Sequence, residues 1–209
     1  IYDSDAEFKR FRQLIVNSVM ATDIMDKDLK ALRNGRWEKA FNEEPGGNLE
    51  EAVNRKATIV IEHLIQASDV SHTMQHWQVY IEWNEKLFFE LYRTYKEGRS
   101  DQDPSEFWYE GEIGFFDFYI IPLALKLKTC GVFGVSSDEY LNYATNNRSE
   151  WERNGKEAIK GYVKKINAEI ELPALTEVPS KNSMSTSQVP LEPSTSKLPP
   201  NGLISATQA

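Results

Sequence analysis

A single cysteine, Cys130, stands in the 209-residue chain, so no internal disulfide can form and nothing marks an oxidising compartment. Long apolar runs are also missing. The most apolar stretch, Phe118 to Leu125, is interrupted by Pro122 and bounded by Asp117 and Lys126, too short to span a bilayer. Positive charge is in deficit, with 24 Lys and Arg against 32 Asp and Glu and a net charge of −8. That balance argues against nucleic acid or an anionic membrane as the main partner, while leaving room for a locally basic pocket for a small anion. No P-loop, no G-x-G-x-x-G and no G-x-S-x-G occurs. Strand-like alternation is nearly absent before residue 172, and no repeat of fixed period is found.

What remains is helical. Hydrophobic residues make up 40% and aromatics 11%, enough for one domain with a core. Phe8, Phe11, Leu14, Ile15 and Val19 recur at helical steps and predict one helix over 5–33. Pro45-Gly46-Gly47 predicts a loop over 42–48, and Asn48 is a candidate N-cap with Glu50 and Glu51 in the first turn. A helix carrying Val53, Ala57, Val60, Ile61, Leu64 and Ile65 then runs to Asp69. The next is expected over about 75–97, and a charged stretch at 96–104 turns the chain. Ser105 can cap a further helix that breaks near Gly111 and Gly114 and resumes through Leu127. After a turn at 131–134, Ser137 opens a last long helix ending near Ile170, with Trp151 on one face. Beyond Leu172 lie six of the nine prolines and no aromatic residue, so 172–209 reads as a disordered Pro/Ser/Thr-rich tail. Residues 1–171 form the predicted all-α domain. The chain starts at Ile1 and shows no signal-peptide pattern, which reads as a processed piece or a fragment.

Three groups of residues carry chemical possibilities. All three histidines, His63, His72 and His76, lie close in sequence to Asp69. Asp69, His72 and His76 have D-x-x-H-x-x-x-H spacing, and two histidines at i, i+4 can share a metal on a helix. The same spacing equally suits histidines exposed at a helix start. Asp69 follows an apolar approach and is expected to be paired, capping or metal-bound. The second group is Glu112-Ile113-Gly114-Phe115-Phe116-Asp117 with Pro122-Leu123, where Pro122 must kink or end a helix. It reads as an aromatic core stripe, or as a ring-stacking pocket with Phe115 on a base and Glu112 at its edge; Gly114 would let a backbone or flat ligand approach. The third is Ala21-Thr22-Asp23, whose carboxylate can orient a metal-bound water or cap a neighbouring turn.

In this order the three stretches resemble the class I 3′,5′-cyclic-nucleotide phosphodiesterases. Ala21-Thr22-Asp23 matches that family's A-T-D. Ser68-Asp69-Val70-Ser71-His72-Thr73 stands where the family has A-D-[IL]-S-N-P, followed by Tyr80 and Trp83, and 112–123 stands where it has Q-V-G-F-x-D-x-x-x-x-P-L. The resemblance covers roughly 5–160. It implies a helical bundle of the HD-superfamily type, incomplete at the N-terminus. It implies that Asp69 is a metal ligand, with Asp23 behind the metal site. Phe115 would form one jaw of a clamp on the purine and Leu87 with Leu91 the other. Tyr80, Asn84 and His72 would line the base pocket, and Glu112 would replace the family's purine-reading glutamine. A carboxylate there accepts hydrogen bonds only, unless it is protonated.

The resemblance further implies two divalent metals in the parent protein, Zn2+ with Mg2+ or Mn2+, and cAMP or cGMP as substrate. The family's H-N-x-x-H and H-D motifs, which supply the proton donor and three metal ligands, are absent before Ala21. No catalytic residue is therefore expected in this chain, which alone should be inactive and lack a complete metal site. A missing N-terminal portion would also leave apolar surface exposed. The expected setting is cytoplasmic, or a cytoplasmic domain of a larger membrane protein with regulatory domains of its own. The alternatives are a noncatalytic binding or interaction module of the same fold, and an unrelated helical bundle in which 67–91 is simply core.

Overall fold

The computed structural model describes residues 2–24, 26–42 and 48–171. The predicted loop at Pro45-Gly46-Gly47 and the tail at 172–209 lie outside the described residues. Among the described residues seven α-helices follow one another: α1 (Asp5–Ala21), α2 (Lys27–Phe41), α3 (Leu49–Asp69), α4 (Trp77–Lys96), α5 (Pro104–Phe115), α6 (Ile121–Cys130) and α7 (Ser137–Glu171). No strand occurs among the described residues, and the all-α class holds.

The single helix expected over 5–33 is two helices. Thr22 turns its backbone N–H and its hydroxyl back to the Val19 carbonyl at 3.2 and 2.8 Å. The Asp23 carboxylate accepts from the Asp26 amide, and Asp26 caps α2 by accepting from the amides of Asp28 and Leu29. Short polar side chains compete here with the helical ladder and win. Asn48 caps α3 through the Glu50 amide, as its sequence position suggested. The cap of α5 is Asp103, whose carboxylate accepts from the Ser105 amide, with Pro104 in the first turn where its missing N–H costs nothing.

From Pro104 to Cys130 the chain stays helical, without the break expected at Gly111 and Gly114. Proline cannot donate to the residue four back, and its ring clashes with that carbonyl. A single π turn over Phe116–Ile120 takes up this defect, with the Ile121 amide reaching back to the Phe116 carbonyl. Pro122 then sits in the first turn of α6. Gly131 ends α6 in the left-handed region, at φ 67°, a conformation open to glycine.

The main core is built by α4, α5, α6 and α7 around Tyr80, Phe88, Phe116, Ile120, Leu127, Trp151 and Ile166. A smaller cluster of Trp37, Ala40 and Ile59 joins α2 to α3. Asn147 of α7 is buried and donates to the carbonyls of Thr73 and Gln75 at 2.9 and 2.8 Å. It thereby pins the tight 3₁₀ turn Ser71–Met74 to the long helix. Asn147→Leu keeps the branched shape and strands both carbonyls. The expected loss is about 1–3 kcal/mol in urea unfolding, with hydrogen exchange fastest at 71–76.

The apolar positions of α1 do not face this core. Phe8, Phe11, Ile15, Val16, Val19 and Met20 are exposed, as are Val53, Ile61 and Ile65 of α3. On α3 the buried positions include Glu62, His63 and Gln66, each with a partner. Glu62 pairs with Arg36, the His63 Nδ1–H donates to the Ile59 carbonyl, and the Gln66 amide donates to the Ala21 carbonyl. The inward face of α3 thus mixes these polar groups with Ile59 and Ala67, while part of its apolar stripe faces outward.

Candidate functional site

The 3₁₀ turn and α4 set up the site. Thr73 is buried and closes the turn through the Val70 carbonyl, by its hydroxyl at 2.7 Å and its amide at 3.0 Å. That turn carries the chain from Asp69, the last residue of α3, into α4. Between Asp69 and α4 lies an open groove of about 550 Å³, lined by Asp69, His72, Trp83, Lys86, Leu87 and Glu90 among others. Asp69 is exposed at its rim. Partial burial lowers the pKa of His72, and the Asp69 carboxylate opposes that shift.

Glu112 belongs to a different arrangement. The Trp108 indole N–H donates to Asn84 Oδ1 at 3.2 Å. The Asn84 amide donates to the Tyr80 oxygen at 3.3 Å, and the Tyr80 hydroxyl donates to Glu112 Oε2 at 2.7 Å. The donors run one way and end on the carboxylate. Tyr80 and Asn84 are 1% and 3% exposed, so they hold Glu112 from behind and offer no free surface to a ligand. Burial pushes the Glu112 carboxyl up to about 7, against the pull of Tyr80 and Asn84, which favour the anion. Oε2 accepts from the Tyr80 hydroxyl.

The remaining candidates are dispersed. Phe115 is half-buried and stacks on Tyr119 at 5.4 Å. Leu87 and Leu91 are exposed on α4, and only Leu87 lines the groove, from which Glu112 and Phe115 are also absent. Asp23 is exposed in the α1–α2 connection, not buried on a helix as expected. A Cβ on Gly114 would meet only the Phe118 ring at 3.9 Å, so no backbone of the chain crowds that glycine. His76 is exposed, its ring nitrogen 3.1 Å from the Tyr143 hydroxyl, apart from the half-buried His72. No group of three or more His, Cys, Asp or Glu able to hold a metal occurs among the described residues. Asp69, His72 and His76 therefore do not form the local three-ligand site their spacing allowed.

Two contributors escaped the sequence reading. Trp108 anchors the relay, and Lys86 lies over the Trp83 ring at 4.5 Å. Trp108 carried no local signal, because its partner Asn84 is on another helix. Lys86 stands three residues after Trp83, a helical neighbour spacing that could have found it.

An all-α bundle with these stretches in this order defines the class. Its fold is similar to the crystal structure of the phosphodiesterase domain of Salpingoeca rosetta rhodopsin phosphodiesterase, with a TM-score of 0.54 and 21% identity. The match covers 79% of this chain and 50% of that one, so the chain spans about half the length of the solved domain it resembles. A family model described as 3′5′-cyclic nucleotide phosphodiesterase matches residues 2–131, and the chain belongs to that family. No curated protein matches it. Among the described residues no helix is long and apolar enough to cross a membrane.

Proposed function

We propose that this chain is the C-terminal part of a catalytic domain whose parent hydrolyses a 3′,5′-cyclic nucleotide, cAMP or cGMP, to the 5′-monophosphate. The observation that carries this reading is the relay Trp108–Asn84–Tyr80–Glu112, which fixes the carboxylate at the position where the family's base-reading residue stands. It lies within the residues matched by the family model. In this reading Glu112 takes the base edge, Phe115 one ring face, and Leu87 with Leu91 the other. As a carboxylate, Glu112 accepts from an amino-bearing edge; protonated, it both donates and accepts. Asp69 supplies one carboxylate to a two-metal centre, zinc with magnesium or manganese, which in such hydrolases activates water and neutralises developing charge. The other ligands come from segments outside this sequence.

The lack of a metal-ligand group among the described residues favours a second reading, a noncatalytic binding module of the same fold. The isolated chain is expected to show no hydrolysis of cAMP or cGMP with zinc and magnesium supplied. Joined in frame to a family segment bearing H-N-x-x-H and H-D, it should turn over, and Asp69→Ala should abolish that turnover. Turnover by the isolated chain, with zinc retained through dialysis, would refute the incomplete-site reading. A transcript with a start codon just upstream of Ile1 and no such motifs would favour the binding module.

A further inference from the structure

A second cavity, of about 280 Å³, lies between α2, α3 and α6. Its polar lining includes Lys30, Arg33, Asn34, His63 and Lys126, and no carboxylate is part of it. In a chain of net charge −8, three cations around one small space are a local reversal of sign. Two of them are already held in place. The Arg33 guanidinium donates to the carbonyls of Met20 and Asp23 at 3.2 and 3.0 Å. Lys126 Nζ donates to Asn34 Oδ1 at 2.8 Å and lies 5.3 Å from the centre of the Trp37 ring. The hydrogen-bond partners of both cations are neutral groups. Burial lowers the pKa of Lys126, and Arg33 and Lys30 push the same way, while Glu38, outside the lining, opposes them. His63 keeps its Nδ1–H on the Ile59 carbonyl, so its Nε2 carries a lone pair for a ligand hydroxyl.

We infer that this cavity binds the phosphate group of a small phosphomonoester or of free phosphate. The volume is near the lower limit of ligand-sized cavities, about 300 Å³, and admits a phosphate with at most a compact substituent inside. Phe118 and Tyr119 also line it and offer ring faces to such a substituent. A phosphomonoester is mostly dianionic at neutral pH, its second pKa being about 6, whereas a cyclic diester carries one charge. Three cations without a lining carboxylate favour the dianion. None of these cations belongs to the Glu112 relay or to the Asp69 groove, so the inference does not depend on the hydrolase reading.

The test is a calorimetric titration of the 209-residue chain with inorganic phosphate at low salt. One saturable site is expected, weakened at least about tenfold in Lys126→Gln and by rising salt, and unchanged in Lys160→Gln, at an exposed position on α7. Melting curves check that Lys126→Gln folds; if it does not, Lys30→Gln, at an exposed position, replaces it with the same expectation. Equal binding by wild type and the cavity variant, or no saturable site, overturns the proposal. Adenosine 5′-monophosphate separates the sources. Binding tenfold tighter than phosphate assigns a nucleotide monoester, and equal binding assigns phosphate itself. Binding of cyclic AMP as tight as that of the monophosphate overturns the preference for a dianion.

Discussion

Trp151→Ala should lower the stability of the domain by about 3–5 kcal/mol, the usual cost of deleting a fully buried aromatic. Trp151 is 0% exposed, and its indole N–H donates to the Tyr109 carbonyl at 3.1 Å. Its ring meets that of Tyr80 edge to face, with centroids 6.1 Å apart. One side chain thus fastens α7 to α4 and α5, beside the tyrosine whose hydroxyl donates a hydrogen bond to Glu112. Against a total stability of about 5–15 kcal/mol for an ordinary domain, the variant should unfold at a clearly lower urea concentration than the wild type.

Gly155, one turn along α7, distinguishes packing from a general loss of helix. A Cβ there would lie 2.7 Å from Trp151 Cε2 and 2.8 Å from Cδ2. Gly155→Ala gains about 1 kcal/mol of helix propensity but forces the indole to move, a cost of about 1–3 kcal/mol. It should destabilise the wild type and stabilise the Trp151→Ala protein. Urea unfolding of the four proteins measures this reversal of sign. Effects of the same sign in both backgrounds would mean that the ring does not set the fit of α7.

Most helices were legible in the sequence because periodicity, caps and glycine turns are local properties; the division of 5–33 into two helices at Thr22 and Asp23 was not. The orientation of α3 was not. Val53, Ile61 and Ile65 form the stripe that periodicity marks for burial, yet they are exposed, while Glu62 and Gln66 are inside. Periodicity says which face wants an apolar partner, not whether the chain supplies one. Glu62 and Gln66 find partners in Arg36 and in the Ala21 carbonyl, on other helices, which a local pattern cannot report. Pro122 announced a defect in its helix, but a kink, an end and a π turn all satisfy a missing N–H. The candidate site divided in the same way. Asp69 was found at a helix end because its neighbours in sequence put it there. The buried positions of Tyr80 and Asn84 came from tertiary packing against Trp108 and Trp151. Lys126 was in principle legible, since it shares a helical face with Tyr119, Pro122 and Leu123 at i, i+3, i+4 and i+7 spacing.

Glu112→Gln should change the pH dependence of stability more than any other single substitution in the relay. In the folded chain the carboxyl of Glu112 is raised from 4.5 to about 7 by burial. The native state therefore holds a proton that the unfolded chain releases, and stability falls as pH rises from about 4.5 through about 7, by up to about 3 kcal/mol. His63 works in the opposite sense. Burial lowers it from 6.5 to about 4, so the unfolded chain takes a proton that the native state refuses. Its contribution is lost as pH falls from about 6.5 towards 4, again by up to about 3 kcal/mol. Between about pH 4.5 and 6.5 the two slopes oppose, and the wild-type contribution of this pair should be nearly flat. Glutamine removes one slope and still accepts from the Tyr80 hydroxyl. The variant should gain stability from pH 4.5 to 6.5 relative to wild type and exceed it above pH 7 by about 3 kcal/mol. Urea unfolding at pH 5, 6.5 and 8 measures both, and parallel profiles would mean that Glu112 titrates in the fold as it does in water. The same substitution tests recognition, because an amide donates and accepts at every pH, as Glu112 does only when protonated. If Glu112 reads a base edge, nucleotide binding by the wild type should change between pH 6 and 8, and binding by the glutamine variant should not.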